Sequence, residues 1–269
     1  MDQYFVVGNP IKQSKSPVIH HLFAEQTKQS LNYDKKLIDD DDFEQAISRF
    51  KKANVKGVNV TAPFKERAFN LCDELSEFAA KAGAVNTLII EEGKIKGDNT
   101  DGVGLVNDLL NHQVSLSGQR ILILGAGGAA KGVVAPILDH QPSQLIIANR
   151  TLKRAQDIAN QYPNKAIDVL TFDELANVSV DLIINATSAG LNGQSLPIPP
   201  SIITPSVICY DMTYGKELTP FLTFASQAGC EKLIDGLGML VGQAAQSFYL
   251  WRGVMPQVKD VIDKLRAQM

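Results

Sequence analysis

Cysteine is scarce in this chain of 269 residues: Cys72, Cys209 and Cys230 are the only three, and none stands in a CxxC spacing. An odd, scattered set supports no disulfide framework or zinc cluster and suits a reducing compartment. Long apolar runs are missing as well. No uninterrupted stretch reaches the roughly 18 residues of a spanning helix, so no membrane segment is expected. Tyr4–Gly8 reads as a first strand, and Asp2–Val7 has neither the basic region nor the following apolar segment of a signal peptide, so by elimination the expected location is cytoplasmic. Charge of either sign is not in excess. There are 26 basic and 29 acidic residues and a formal net charge of -3, which leaves no electrostatic footprint for nucleic acid. The acidic run Asp39–Asp42 is too short to be more than a solvated loop or helix start. No internal repeat or low-complexity tract appears. What remains is 45% apolar, a globular composition in a chain long enough for two modest domains or one large one.

The most organised stretch is Arg120–Gly132, RILILGAGGAAKG. The hydrophobic run Ile121–Leu124 feeds into Gly125-Ala126-Gly127-Gly128-Ala129, and Val133, Val134, Ile137 and Leu138 follow with helical spacing. Strand, glycine turn and helix are the context in which such glycines hold a dinucleotide. Gly125 permits the tight turn, Gly127 lets backbone approach a pyrophosphate, and Ala130 is small enough for close helix–strand packing. The free N–H groups of the helix start then face the phosphates. The next strand, Gln144–Ala148, ends where an NAD site usually carries an acidic residue for the ribose hydroxyls. This chain has Asn149-Arg150-Thr151 there, with Arg154 four residues after Arg150, expected on the same helix face. Two guanidinium groups beside a hydroxyl and an amide suit a ribose 2′-phosphate. The expected cofactor is therefore NADP rather than NAD; the plain alternative is a pair of solvated arginines. Further strands end at Asn185 and Tyr210, and the small-residue loop Ala186-Thr187-Ser188-Ala189-Gly190 lies at a strand's carboxyl end, where open α/β sheets bind ligands.

Ahead of this unit lies a mixed α/β segment rich in short polar motifs. Ser16 before Pro17 reads as a helix N-cap with proline at the first helical position, whereas Ser14 has no structural duty and is open to a ligand. His20 and His21 are adjacent, cannot both face one metal from a helix, and read as surface or core-edge histidines. Asn59 and Thr61 share one face of a short strand. Lys65 follows at a helix start, against the dipole. Asp101 either caps the helix that follows it or serves a site. Cys209 and Cys230 read as small buried apolar residues, since no paired base is evident. After the second unit, Met239–Trp251 has a small-residue helical surface, and Pro256 is expected to open a last helix.

Several separated motifs together resemble the shikimate dehydrogenase family over essentially the whole chain. They are Ser14-Lys15-Ser16-Pro17, Asn59–Lys65, Gly83–Thr87, Gly97–Gly102, the Gly125 loop, Asn149-Arg150-Thr151, Asn185–Ser188 and Asp235–Gln243. The resemblance implies a two-domain α/β fold, a Rossmann-like NADP domain plus a mixed α/β substrate domain with an interdomain cleft. It implies residues 1–101 as the substrate domain, 102–237 as the NADP domain, and 238–269 as helices packing back on the substrate domain. Ser14, Ser16, Asn59, Thr61, Lys65, Asn86, Asp101, Tyr214 and Gln243 would surround the substrate. Gly125, Ala126, Gly127, Gly128, Ala129, Ala130, Asn149, Arg150, Thr151 and Arg154 would hold NADP, with Thr187, Ser188, Gly236 and Met239 near its ribose or nicotinamide end. The implied reaction is reversible reduction of 3-dehydroshikimate by NADPH, with Lys65 as general acid or base and Asp101 orienting it. Alternatives within the same fold are a dual quinate/shikimate dehydrogenase and a non-catalytic NADP-binding regulator. No metal is implied, the partner is a small molecule, and the assembly is a monomer or homodimer.

Overall fold

The structure, a computed structural model, describes residues 1–187 and 196–269. In chain order the first elements are β1 (Asp2–Gly8), α1 (Ser16–Thr27), β2 (Leu31–Leu37), α2 (Phe43–Lys52), β3 (Gly57–Val60), α3 (Lys65–Asn70), β4 (Glu74–Leu75), α4 (Glu77–Ala82), β5 (Thr87–Glu91), β6 (Lys94–Asp98) and α5 (Asp101–Asn111). They are followed by β7 (Arg120–Leu124), α6 (Gly128–Asp139), β8 (Gln144–Ala148), α7 (Leu152–Ala159), β9 (Ile167–Leu170), β10 (Leu182–Asn185), β11 (Ile208–Asp211), α8 (Pro220–Gln227), β12 (Lys232–Asp235), α9 (Leu237–Arg252) and α10 (Lys259–Ala267). The chain forms two compact units, one of Met1–Gly104 with Leu240–Gln268, the other of Leu105–Met239. Both crossings fall a few residues beyond the expected boundaries at 101/102 and 237/238. They lie inside α5 and α9, so no loop marks them.

The first unit is built on a mixed sheet of order β2-β1-β3-β5-β6-β4. β1 runs parallel to β2 and β3, while β5 is antiparallel to both β3 and β6. β3 is buried along its whole length, which is why its residues read as a short apolar run with one polar interruption, Asn59. Phe43, Ile47 and Phe50 of α2 close one core with Val58, Val60, Phe64 and Leu88. Their spacing is the helical stripe expected of a half-buried helix. Gly8 ends β1 under Thr61: a Cβ there would stand 2.4 Å from the Thr61 methyl.

The second unit is a wholly parallel sheet of order β12-β11-β10-β7-β8-β9. Numbered within the unit this is the doubly wound order 3-2-1-4-5-6. Ile121–Leu124 are fully buried, as strands covered by helices on both faces must be. Leu122→Ala would cost about 2–5 kcal/mol on that ground. The strand order reverses between β7 and β10, so the crevice outside their carboxyl ends is where this sheet is built to receive a ligand. Pro256 does not open the last helix. α10 starts at Lys259 behind Val258, and Gln257 N–H instead donates to Gln26 Oε1 at 2.7 Å. No helix among the described residues is long and apolar enough to cross a membrane.

Candidate active site

In the first unit, the ends of β3, β5 and β6 and the starts of α1, α3 and α5 bring most of the expected substrate residues into one hydrogen-bonded set. Lys65 opens α3 and Asp101 opens α5. Lys65 Nζ stands 2.5 Å from Asp101 Oδ2, with side chains 23% and 10% exposed. Asp101 is not spent on capping its helix. Its second oxygen accepts from Asn86 Nδ2 at 2.8 Å, and its own N–H donates to Asn99 Oδ1 at 3.2 Å. The carboxylate therefore serves the site. Asn86 Oδ1 accepts from the Thr100 backbone N–H at 2.9 Å and from Thr87 Oγ1 at 2.8 Å. Gln243 Oε1 lies 3.4 Å from both Asn86 Nδ2 and Thr100 Oγ1, so α9 contributes to the same cluster.

Ser16 is not the N-cap of α1. Lys15 takes that position without a side-chain bond, and Ser16 and Pro17 are the first helical residues. The capping duty passes to Ser14, whose Oγ accepts from the Ser16 N–H at 3.3 Å and donates to Ser16 Oγ at 3.2 Å. Asn59 is 6% exposed. Its oxygen accepts from Tyr33 Oη at 2.7 Å, and its amide nitrogen lies 3.0–3.2 Å from Ser247 Oγ, Thr87 Oγ1 and Asn86 O. Its polar atoms are committed inside the unit, so it stiffens the wall rather than presenting an amide to solvent. Thr61 is half-buried at the end of β3, its N–H bonded to Val7 O at 2.9 Å. Tyr214 belongs to the other unit, half-buried after β11; burial, then the Asp235 carboxylate, raises its phenol pKa.

His20 departs from expectation. It is fully buried and stacks on Tyr33 at 4.1 Å and 7°, with Phe23, Phe248 and Trp251 around it. Neither ring nitrogen has a partner at hydrogen-bond geometry among the described residues, and the Asn59 side chain beside it opposes the effect of burial on its pKa. Burial lowers its pKa to about 3, which keeps the ring neutral. Tyr33, buried on the same stack, has its phenol pushed well up, opposed by the Ser16 hydroxyl.

In the second unit the glycine loop sits at the β7/β10 reversal. Gly125 has φ +104°, and a Cβ there would meet Thr187 Cγ2 at 2.9 Å. Only glycine suits that backbone beside that neighbour. Thr187 is itself held by Asn185 Oδ1, which accepts its N–H at 3.0 Å and its hydroxyl at 2.8 Å. Asn185 is in turn tied to buried Asp211. At Gly127 and Gly128 a Cβ would meet nothing within 4 Å. Gly127 caps the twelve-residue helix α6 without a side-chain bond, leaving open space over backbone N–H groups. Ala126 and Ala130 are buried beneath and Ala129 half-buried. This is a cradle that fits a pyrophosphate.

Beyond β8, Asn149 Nδ2 donates to Thr151 O at 2.8 Å and shapes the turn before α7. Arg150 lies outside that helix, whose N-cap is Thr151, so the expected shared helix face with Arg154 does not exist. Both arginines and Thr151 are exposed at the same helix start, which is enough to gather two cations. Gly236 packs against Met212 O, and Met239, 7% exposed, lies in the first turn of α9. Ser188 lies outside the described residues. The reading of residues missed Tyr33, Thr87, Thr100 and Ser247. Thr87 and Thr100 sit inside the quoted motifs, but nothing local distinguishes them from ordinary strand and turn threonines.

A doubly wound dinucleotide unit joined to a unit that holds a lysine–aspartate pair defines a nucleotide-dependent oxidoreductase. Residues 6–88 match the family described as the shikimate dehydrogenase substrate binding domain, 108–192 shikimate / quinate 5-dehydrogenase, and 236–266 the shikimate 5'-dehydrogenase C-terminal domain. The chain is 53% identical over 268 residues to shikimate dehydrogenase (NADP(+)) of Colwellia psychrerythraea, covering 100% of this chain and 98% of that relative. Among solved structures, an Ael1 enzyme from Pseudomonas putida superposes with a TM-score of 0.94 at 43% identity, covering 98% of each chain. Shikimate 5-dehydrogenase from Thermus thermophilus, solved in complex with NADP(H) and shikimate, superposes with a TM-score of 0.89 at 30% identity, covering 100% of each. The chain belongs to the shikimate dehydrogenase family.

Proposed function

We propose that this protein catalyses the reversible reduction of 3-dehydroshikimate to shikimate with NADP(H) as its cofactor. The carrying observation is the Lys65–Asp101 pair at 2.5 Å, with the second Asp101 oxygen fixed by Asn86. It stands in the unit that matches a substrate binding domain. NADPH supplies, when bound, the hydride that reduces the ketone carbon. Lys65 Nζ donates the proton to the oxygen of that carbon, and in the reverse direction accepts it from the hydroxyl. Its positive charge stabilises the oxygen as negative charge develops. Asp101 Oδ2 holds Nζ by one N–H and leaves the others for the substrate.

Ser14, Ser16, Thr61, Asn86 and Gln243 supply the dense donor and acceptor set that a polyhydroxylated acid requires. Asn59 supports them from behind. The Gly125–Ala130 loop takes the pyrophosphate. Asn149, Arg150, Thr151 and Arg154 take the adenosine 2′-phosphate, while Thr187, Gly236 and Met239 border the ribose and nicotinamide end. All these residues come from one chain, compatible with either a monomer or a homodimer. The test is shikimate-dependent reduction of NADP+, with quinate and NAD+ as controls. Turnover of shikimate with NADP+ above all other pairs is expected. No shikimate turnover overturns the assignment, and quinate turnover of equal efficiency replaces it with the dual-specificity enzyme.

A further inference from the structure

A carboxamide can be built either way round, and its neighbours decide which face carries the N–H groups. Asn86 matters in this respect because only its nitrogen can hold Asp101 Oδ1. Were the amide reversed, its oxygen would face the carboxylate and Asp101 would lose the bond at Oδ1 that sets Oδ2 towards Lys65. Three groups oppose that reversal by donating to Asn86 Oδ1: the Thr87 hydroxyl at 2.8 Å, the Thr100 backbone N–H at 2.9 Å and, at a longer 3.2 Å, the Thr100 hydroxyl.

The direction of the Thr87 hydroxyl is itself determined. Asn59 Nδ2 lies 3.1 Å from Thr87 Oγ1 and has only hydrogens to offer. Ser247 Oγ, 2.8 Å away, can give its proton to Thr87 or to Gln243 O, whereas Asn86 Oδ1 carries no hydrogen and can only accept. Thr87 thus receives from Asn59 and spends its single proton on Asn86. Thr87 is fully buried at the first position of β5, so water does not compete for that proton.

We infer that Thr87 is a positioning residue for the reaction: its hydroxyl locks the Asn86 carboxamide in the orientation that holds Asp101 against Lys65. Thr87 touches neither Lys65 nor Asp101 by any bond in the structure and acts only through Asn86. The inference rests on the proposed roles of Lys65 and Asp101.

Thr87→Val is the test, since valine keeps the β-branched shape that a buried strand favours and removes only the hydroxyl. Asn59 retains Asn86 O and Ser247 Oγ as acceptors, so the fold is expected to persist, checked by thermal unfolding beside the parent. The expected result is a fall in kcat of about tenfold, the order of one lost hydrogen bond, with KM for shikimate changed by less than about threefold. Thr87→Ser restores the donor and is expected to recover kcat to within about threefold of the parent. In an Asn86→Ala background, Thr87→Val is expected to cost nothing further, because the group it orients is gone. Unchanged kcat in Thr87→Val, a loss confined to KM, a serine variant no better than valine, or additive losses with Asn86→Ala each overturn the inference. If the parent itself does not turn over shikimate, the functional reading fails instead, and the two failures are thereby distinguished.

Discussion

Replacing Asp101 by asparagine changes one atom and the charge, and the structure says what each change does. Asp101 now offers one oxygen to Lys65 Nζ at 2.5 Å and the other to Asn86 Nδ2 at 2.8 Å. Both neighbours are donors. Asparagine has one oxygen and one NH₂ group, so one of the two contacts becomes donor against donor whichever way the amide turns. Asn86 cannot relieve the conflict by turning round, because the Thr100 N–H and the Thr87 hydroxyl hold its oxygen. A buried donor left unmatched costs about 1–3 kcal/mol. The lost charge adds to this: two unit charges about 4 Å apart attract by about 4 kcal/mol at an effective dielectric near 20, and desolvation of the pair offsets much of that. The expected stability loss for Asp101→Asn is about 2 kcal/mol.

The catalytic loss should be larger, because Lys65 keeps its proton chemistry but loses its anchor. We expect kcat to fall by about 10²–10³, or ~2.7–4 kcal/mol of barrier. Shikimate-dependent NADP+ reduction measures kcat and KM, and urea unfolding measures stability on the same preparations. Lys65→Met combined with Asp101→Asn should be no slower than the slower single variant, since the two act as a unit. A folded Asp101→Asn enzyme within about threefold of the parent kcat, or fully additive losses in the double variant, would refute the assigned pairing.

Three further outcomes are expected. Arg150→Ala and Arg154→Ala should each weaken NADP+ binding by about tenfold, the order of a charge-assisted hydrogen bond, and leave NAD+ use nearly unchanged; equal losses with both cofactors in steady-state titrations would reject 2′-phosphate recognition. Gly125→Ala, strained at φ +104° and crowded by Thr187, should raise KM for NADP+ by about tenfold or more, as about 1–3 kcal/mol of strain implies, while equilibrium binding of shikimate alone is retained; a normal cofactor KM would show that the loop does not approach the nucleotide. His20 is neutral in the folded protein, with a pKa lowered by burial from 6.5 to about 3, so below pH 6.5 the unfolded chain binds the extra proton and stability falls as pH drops. That slope is at most about 1.4 kcal/mol per pH unit between the two values. His20→Phe should remove it and leave stability at pH 7 nearly unchanged, and identical pH slopes for parent and variant in urea unfolding would contradict the burial.

Local sequence carried the second unit far. The run Ile121–Leu124 entering Gly125-Ala126-Gly127 is a complete statement of strand, turn and helix, because each signal is local in the chain: a continuous apolar run, a glycine able to take positive φ, and the helical spacing that follows. The same holds for α2, whose Phe43, Ile47 and Phe50 mark one face by spacing. It fails where a residue's partners are remote. Arg150 has a helical distance to Arg154, yet the turn held by Asn149 ends at Thr151 and excludes it from α7. His20 has the spacing of a helix edge, but Tyr33 and Phe248, which enclose it, arrive from β2 and α9.

The site divides in the same way. The residue types of the site, a lysine, an aspartate and a set of hydroxyls and amides, stand in the sequence as short motifs. By themselves they determined the chemistry available and the nucleotide loop that accompanies it. Which atom faces which was decided only by the tertiary structure. Thr87 meets Ser247 across 160 positions of chain, and Asn86 meets Gln243 across 157. Those contacts orient one carboxamide and, through it, Asp101. Hydrogen-bond direction depends on all the donors that converge on an atom, and convergence in a buried cluster is a property of the packed chain rather than of any segment in it.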